Sequence, residues 1–499
     1  MAYEAVLNLE PGALSSIAPI LIVLATAFLV LLWDVVVKPK EKGLLLGFSL
    51  GGIGVAAIVS FALWADAGDV SHTIFSGRLA VDRYSLFFNL LFLLVAALVL
   101  LISKEFLVRE QVDVGEYYGL VLLSVFGMML LASASDLLML FVGVEMMSIP
   151  VYVLVAFNRS NVRCIEGAVK YFILGAFATA FLLYGIALLY GQARTTNLAD
   201  IHAFLERASG VHYLVPVGIG LMLVGFGFKI ASVPFHMWTP DAYEGASTPV
   251  TAAMATGVKA AAFAAFARAF VAFAPSLVSF QSVLWAIVAL TIVLGNVAAI
   301  RQNNLKRMLA YSSIAHSGYM LAAMLAIEPA WGAQTSQAMS SLLFYLLVYA
   351  FMNIGAFGVI VMIGRREDDG ADVREWAGLG FKYPWLGAAM ALFMLSLGGL
   401  PPTGGFFAKF YLFSAVVKAG HPRLIVLAVL MSAASFYYYL RVVVYMYMQP
   451  ATGERSPSMS PLSAIAIGIA AVGVLWLGVA PSTLFPFIDW ARQSVAVLL

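Results

Sequence analysis

The 499-residue sequence has a single cysteine, Cys164, and little charge, since Asp, Glu, Lys and Arg together make up 11%. One thiol cannot close a disulfide within the chain, ligate an iron–sulfur cluster or build a thiolate zinc site. Any redox centre that works with this chain must therefore belong to another polypeptide. No glycine-rich phosphate loop follows a strand pattern and no Ser–His–Asp or metal-ligand grouping stands out, so nucleotide and hydrolytic chemistry lack residues. The 28 basic residues are scattered and offset by 26 acidic ones, which leaves no footprint for nucleic acid. The first twelve residues, MAYEAVLNLEPG, contain no Lys or Arg, so a cleaved signal peptide is not expected and the first apolar stretch reads as a retained span.

What is abundant is apolar. Hydrophobic residues make up 63% and mean hydropathy is +0.96, against roughly 45–50% apolar in soluble proteins. At about 20 residues per crossing and roughly 10–15 per connection, the length holds about fourteen helical spans and no sizeable aqueous domain. The expected fold is thus an all-α polytopic membrane protein in a lipid bilayer. Spans are expected near 13–37, 43–65, 84–103, 117–134, 136–157, 166–190, 213–235, 248–270, 281–300, 305–326, 337–363, 384–418, 424–448 and 462–486. With the N-terminus outside, the odd-numbered connections carry fifteen Lys and Arg, Lys38, Lys40 and Arg455 among them, and the opposite side carries seven. The positive-inside rule then places both termini outside, which is the periplasm for a bacterium.

Two spans carry helix breakers deep in the apolar run. The seventh has Pro234 in KIASVPFHMWTP, and the twelfth has LSLGGLPPTGGFFAKF. The backbone groups they free must be satisfied by protein or water. Broken helices five spans apart are the pattern of an inverted-repeat transporter. The expected organisation is one transmembrane domain, with spans 1–3 in 1–115, a first five-helix repeat (spans 4–8) in 116–275, a second (spans 9–13) in 276–449 and the last span in 450–499.

Six basic residues and one central acid lie within the spans. Glu145 falls near the middle of the fifth, where a lone carboxylate costs at least roughly 2.5–3.5 kcal/mol, so a partner or a proton is expected on it. Lys229 precedes the first break, Lys259 lies deep in the eighth span and Lys409 follows the second break, in a place like that of Lys229. Lys170 has Glu166 four residues earlier at the mouth of the sixth span, so it reads equally as a relay member or as half of an interfacial ion pair. Arg268, nine residues after Lys259, is on the opposite helix face about 13.5 Å further along and is expected to snorkel to the outer surface. Arg441 also reads as interfacial. His72, His202, His212 and His421 fall in outer connections, where a solvated surface is expected. His316 in LAYSSIAHSGYM and His236 beside Pro234 each read as a buried, hydroxyl-satisfied histidine or as a proton carrier. A chain of ionisable groups inside a bilayer is by default a proton path.

Four stretches, GAVKYFILGAFATAFLLYGIALLYG, FKIASVPFHMWTPDAYEGASTPVTAAMATGVKAAAF, LKRMLAYSSIAHSGYM and LSLGGLPPTGGFFAKFYLF, closely resemble the antiporter-like subunit N family of proton-pumping NADH:quinone oxidoreductase, respiratory complex I. That family is similar in fold to Mrp-type sodium/proton antiporter subunits, and the resemblance implies fourteen helices with two inverted repeats. It implies that Glu145 and Lys229 are a coupled pair, that Lys170 and Lys259 are relay lysines, and that Lys409 is the exit-side lysine. His236 and His316 match histidines near the central axis, and Tyr438 is a weaker match on the thirteenth span. No cofactor is implied for this chain; FMN, iron–sulfur clusters and quinone would be held by partner subunits. The partners implied are membrane-arm subunits M, L, K, J, A and H and the peripheral redox arm, in a bacterial inner membrane, and the chain would be a non-redox subunit of a proton-translocating enzyme. Subunit M would carry glutamate where Lys409 stands, and subunit L a long C-terminal extension. Ser247 stands where the family usually shows proline. Two other readings stay open: an Mrp-type sodium/proton antiporter subunit, and an assembly scaffold whose buried charges only position helices.

Overall fold

The computed structural model describes residues 12–37, 42–66, 72–207, 213–328, 332–366, 370–451, 457–458 and 460–497. Lys38, Lys40, Arg455 and His212 lie outside them. Within them the apolar runs are helices, which is the way a chain in lipid satisfies its backbone groups within each segment. In order they are α1 (Ala18–Val36), α2 (Gly43–Asp66), α3 (Arg83–Arg109), α4 (Gly115–Ser133), α5 (Leu137–Val155), α6 (Val162–Ala193), α7 (Leu198–Arg207), α8 (Leu214–Lys229), α9 (Trp238–Gly245), α10 (Thr248–Ala253) and α11 (Lys259–Ala272). The second half of the chain adds α12 (Gln281–Ile300), α13 (Leu305–Leu321), α14 (Ala333–Ile363), α15 (Pro384–Gly398), α16 (Gly404–Lys418), α17 (Pro422–Met448), α18 (Pro461–Val479) and α19 (Phe485–Val497). A short antiparallel hairpin, His72–Ile74 with Leu79–Val81, precedes α3 and adds a strand pair to the expected all-helical fold.

Eleven helical stretches among the described residues are long and apolar enough to cross a membrane. Both expected breaks are present. The run expected as the seventh span is helical only to Lys229, where α8 ends, and α9 begins beyond it; the run expected as the twelfth stops at Gly398 and resumes at Gly404. The peptide bonds Val233–Pro234 and Pro401–Pro402 within the breaks are cis. A turn of π-helix, Met254–Val258, joins α10 to α11 immediately before Lys259.

Burial sorts the helices into a centre and a shell. The apolar windows of α10–α11 and of α14 are 94% buried, whereas those of α1, α2 and α6 are 33% buried. On its outer side α6 exposes Phe172, Phe177 and Tyr184, an apolar face suited to lipid or to another subunit. Helices α4 and α5 pack at backbone distance: a Cβ added to Gly127 would stand 2.2 Å from the Met147 amide nitrogen. At the C-terminal end of α3, the Arg109 guanidinium donates to the Val361 and Gly364 carbonyls at 2.7 Å each and closes the end of α14.

Candidate functional site

Helix α5 starts at Asp136, whose carboxylate accepts from the Leu138 and Met139 amides and so fixes the helix start. From that start, Glu145, Ser148 and Tyr152 follow at spacings of three and four and share one face. The Lys229 ammonium meets that face, but not at the carboxylate. It donates to Ser148 Oγ at 2.7 Å and to Tyr152 OH at 3.1 Å, and it lies 5.2–5.5 Å from the rings of Tyr152, Tyr171 and Phe228. One oxygen of Glu145 is buried without a hydrogen-bond partner among the described residues. In this structure the Lys229 ammonium is thus held at hydroxyls and not at the carboxylate of Glu145, with which the resemblance couples it. Ser148 lies about one turn and Tyr152 about two turns further along α5 than the acid, both within reach of the lysine at the end of α8.

In the second half of the bundle an alternation of cations and rings appears. Lys259 Nζ donates to the Ser313 carbonyl at 2.7 Å and to its hydroxyl. One turn along α13, His316 contacts Tyr345 OH through Nδ1 at 2.7 Å and Tyr439 OH through Nε2 at 3.2 Å, and Tyr439 also meets the Ser312 hydroxyl. Lys409 donates to the Leu397 and Gly398 carbonyls at 2.9 and 2.7 Å and to Ser432 Oγ at 2.8 Å. It thereby satisfies carbonyls that the second break leaves free. The Tyr349 ring stands between Lys259, 5.6 Å away, and His316, 5.1 Å away. The Tyr319 ring stands in the same way between His316, 5.7 Å away, and Lys409, 5.4 Å away. Lys259, His316 and Lys409 are each less than a tenth exposed. Tyr438 donates to Asn296, which in turn donates to Tyr319 OH, both at 3.0 Å.

The positions of the other candidates are more varied. Lys170 pairs with Glu166 at 2.6 Å, as its spacing suggests, and also with Asp241 at 2.8 Å; Arg307 bridges Asp241 and Glu244 at 2.8 Å each. Burial raises the Asp241 carboxyl, but hydrogen bonds from Lys170 and Arg307 outweigh it and hold the group below its ordinary range. His236 sits half-buried in the first break, with an Nδ1 that has no partner among the described residues, and joins none of the contacts above. Lys409 and Lys229 are not in matching places: Lys229 ends the half-helix before its break, and Lys409 lies within the half-helix after its own.

Three further expectations are corrected. Arg268 does not snorkel outward; its guanidinium holds Asp82 with two hydrogen bonds of 2.9 and 3.0 Å, and neither side chain reaches solvent. Asp82 at the N-terminus of α3 gives the charge a buried partner, so the arginine has no need of the surface. His202 is buried on α7, in contact with the Ala272 carbonyl at 3.1 Å. Lys306, counted among the fifteen basic residues of the odd-numbered connections, is 1% exposed and donates to the Ala246 carbonyl at 2.6 Å.

Several residues of the site escape a reading for ionisable groups alone. Ser148 and Tyr152 could have been found from their spacing to Glu145. Ser341, Tyr345, Tyr349 and Asn353 form a polar ladder at intervals of four along the otherwise apolar α14. Tyr439 and Asn296 carry no such signal, being single polar groups on faces that only the packing defines. On the side of the bundle where Lys170 lies, a polar cavity of about 540 Å³ opens among Glu110, Asn158, Arg163, Glu244, Asn304 and Lys306. Among the described residues no group of three His, Cys, Asp or Glu side chains is placed to hold a metal ion.

Comparison with known proteins adds the following. Residues 134–435 match the family described as "NADH:quinone oxidoreductase/Mrp antiporter, TM". The chain is 45% identical over 488 residues to NADH-quinone oxidoreductase subunit N of Trichlorobacter lovleyi, covering 97% of each chain, and 40% identical to that of Chloroflexus aggregans, covering 99% of each. Among solved structures it resembles a chain of respiratory complex I from Thermus thermophilus with bound aureothin, at 37% identity and TM-score 0.79, covering 94% of this chain and 98% of that one. A chain of the Mrp complex from Dietzia sp. is 22% identical with TM-score 0.82, covering 98% and 100%, which is a likeness of fold.

Proposed function

The chain belongs to the family of NADH:quinone oxidoreductase and Mrp antiporter transmembrane subunits, and from that membership we propose that it moves protons through Glu145, Lys229, Lys259, His316 and Lys409. It is a proton-translocating membrane subunit of NADH:quinone oxidoreductase and works among the other subunits of that complex. Subunits M, L, K, J, A and H are the proposed neighbours, with FMN, iron–sulfur clusters and quinone in partner chains. The proposed setting is a bacterial inner membrane, with fourteen crossings in two inverted repeats and both termini outside.

The observation that carries this reading is the alternation Lys259, Tyr349, His316, Tyr319, Lys409 across the buried centre. Imidazole both accepts and donates a proton, and hydroxyls on either side give it partners in each direction. A lysine parted from its countercharge in a medium of low dielectric passes its proton on to the next base. Quinone reduction elsewhere in the complex would drive that parting at Glu145 and Lys229. The polar cavity beside Glu244 and Lys306 supports entry of water and protons on that side, where Glu244 is tied through Arg307 and Asp241 to Lys170. His236 and Tyr438 enter the reading as flanking carriers, on the resemblance alone.

The higher identity to subunit N than to the Mrp chain supports the complex I reading over the antiporter one. The test is Lys229→Ala in the assembled complex. Proton pumping and coupled quinone reduction should both fall; full pumping by an assembled variant sinks the reading. Assembly retained with pumping lost also excludes a role as scaffold only.

A further inference from the structure

Lys229 has two candidate partners on one helix face, and the structure shows it at the neutral one. Ser148 Oγ and Tyr152 OH accept two hydrogen bonds from it, while Glu145, three residues before Ser148, keeps a buried oxygen without a partner among the described residues. Around the ammonium stands an aromatic wall. The Tyr152 and Tyr171 rings meet edge to face at 4.6 Å, Tyr171 stacks on Trp238 at 4.2 Å, and Trp238 is tied to the Phe228 carbonyl by its indole nitrogen at 3.0 Å. Ring faces attract a cation without carrying charge. The wall therefore holds the ammonium without supplying a second carboxylate.

Two details indicate that the arrangement is specific. Ser148 is itself fixed, its hydroxyl donating to the Val144 carbonyl of its own helix, so its lone pairs remain for the lysine. And the Tyr152 hydroxyl occupies a notch in α6 made by the missing side chain of Gly175, where an added Cβ would stand 2.2 Å from the phenol oxygen. Tyr171, whose own buried hydroxyl has no partner among the described residues, closes the space on the other side.

We infer that Ser148 and Tyr152, walled by Tyr171 and Phe228, form a docking station at which protonated Lys229 waits apart from Glu145. This rests on the reading of Glu145 and Lys229 as the coupled pair. The lysine then exchanges between two stations about one to two helical turns apart on α5, the carboxylate and the hydroxyls. Their relative stability sets how much of the time the pair is open. Tyr152 is a positioning residue in this scheme: it touches Lys229 and holds it away from the acid.

The experiment compares Tyr152→Phe and Gly175→Ala in the assembled complex. The first removes the hydroxyl and keeps the ring; the second pushes the hydroxyl out of its notch. Either variant should move Lys229 toward Glu145 and slow pumping-linked quinone reduction, on the order of tenfold, the size expected for losing one hydrogen bond to a charged group. Infrared difference spectra should show the Glu145 carboxylate band, identified by its loss in Glu145→Gln, shifted toward an ion-paired form. Unchanged turnover and an unchanged Glu145 band in assembled Tyr152→Phe would overturn the station. Loss of assembly in both variants, with no shift of the Glu145 band in a Tyr171→Leu complex that assembles, would overturn it as well. Lys229→Ala separates the two ideas: if it abolishes pumping while Tyr152→Phe is inert, only the station falls; if it pumps fully, the parent reading falls.

Discussion

Arg268 and Asp82, 186 residues apart in sequence, are joined by two hydrogen bonds of 2.9 and 3.0 Å with both side chains shut away from solvent. Asp82 uses the same carboxylate to cap α3, accepting from the Ser85 amide at 2.7 Å, and Arg268 lies 4.8 Å from the Tyr84 ring. Tyr84 in turn donates its hydroxyl to the Ala264 carbonyl on α11. The start of α3 and the end of α11 are thereby one unit.

Removing one member leaves the other charge buried and alone, which costs about 3–5 kcal/mol. Asp82→Asn should lower the thermal stability of the purified complex or its yield at assembly. Asp82→Asn together with Arg268→Leu should recover part of the loss, because no lone charge remains. A thermal unfolding series on the single and double variants checks both outcomes.

His316→Phe keeps a ring of similar size between Tyr349 and Tyr319 and removes both nitrogens. Because one ring nitrogen can accept a proton while the other donates one, His316 should be worth at least about 10²-fold in proton transfer, the usual range of a positioned acid–base group. Acidification linked to quinone reduction should fall by that order while assembly persists. A variant that pumps at the native rate would remove the histidine from the path.

The junction of Lys170, Asp241, Arg307 and Glu244 should respond to acid. The Asp241 carboxyl is held below the ordinary value of about 3.9 by its two cationic donors against the effect of burial. A group lowered in the folded state contributes stability that is present above the unfolded value and lost as pH falls through the folded one. Hydrogen exchange of α9 should therefore quicken below about pH 4 in the native chain. Asp241→Asn should show no such step in that window.

The long apolar runs and the two breaks could be read from the sequence because each is a local property of some twenty residues. The positions of Lys229, Lys259 and Lys409 could be read for the same reason, since a charge in an apolar run stands out wherever it points. What each charge points at was not readable. Helical arithmetic correctly put Arg268 on the face opposite Lys259, but its destination depended on Asp82, which looks like a loop residue until the hairpin brings it against α11. In the same way Glu145 looked like the sole partner for Lys229, because hydroxyls such as Ser148 and Tyr152 do not stand out in a count of charges. Lys306 counted in the sequence only as one of the basic residues that set orientation, and only the fold brings the Ala246 carbonyl, just before α10, against it.

The burial of α14 has a consequence for how the chain is made. Its walls are α3 and α10, encoded before it, and α15, α16, α18 and α19, all encoded after it. When α14 leaves the ribosome and enters the membrane, its ladder of Ser341, Tyr345, Tyr349 and Asn353 still lacks the C-terminal helices that later enclose it. The nascent chain must carry those polar groups through an unfinished stage, sheltered by the insertion machinery or by the earlier helices. A stop codon between α14 and α18 should for that reason be more damaging than one after α18, since it strands a helix built for protein surroundings against lipid.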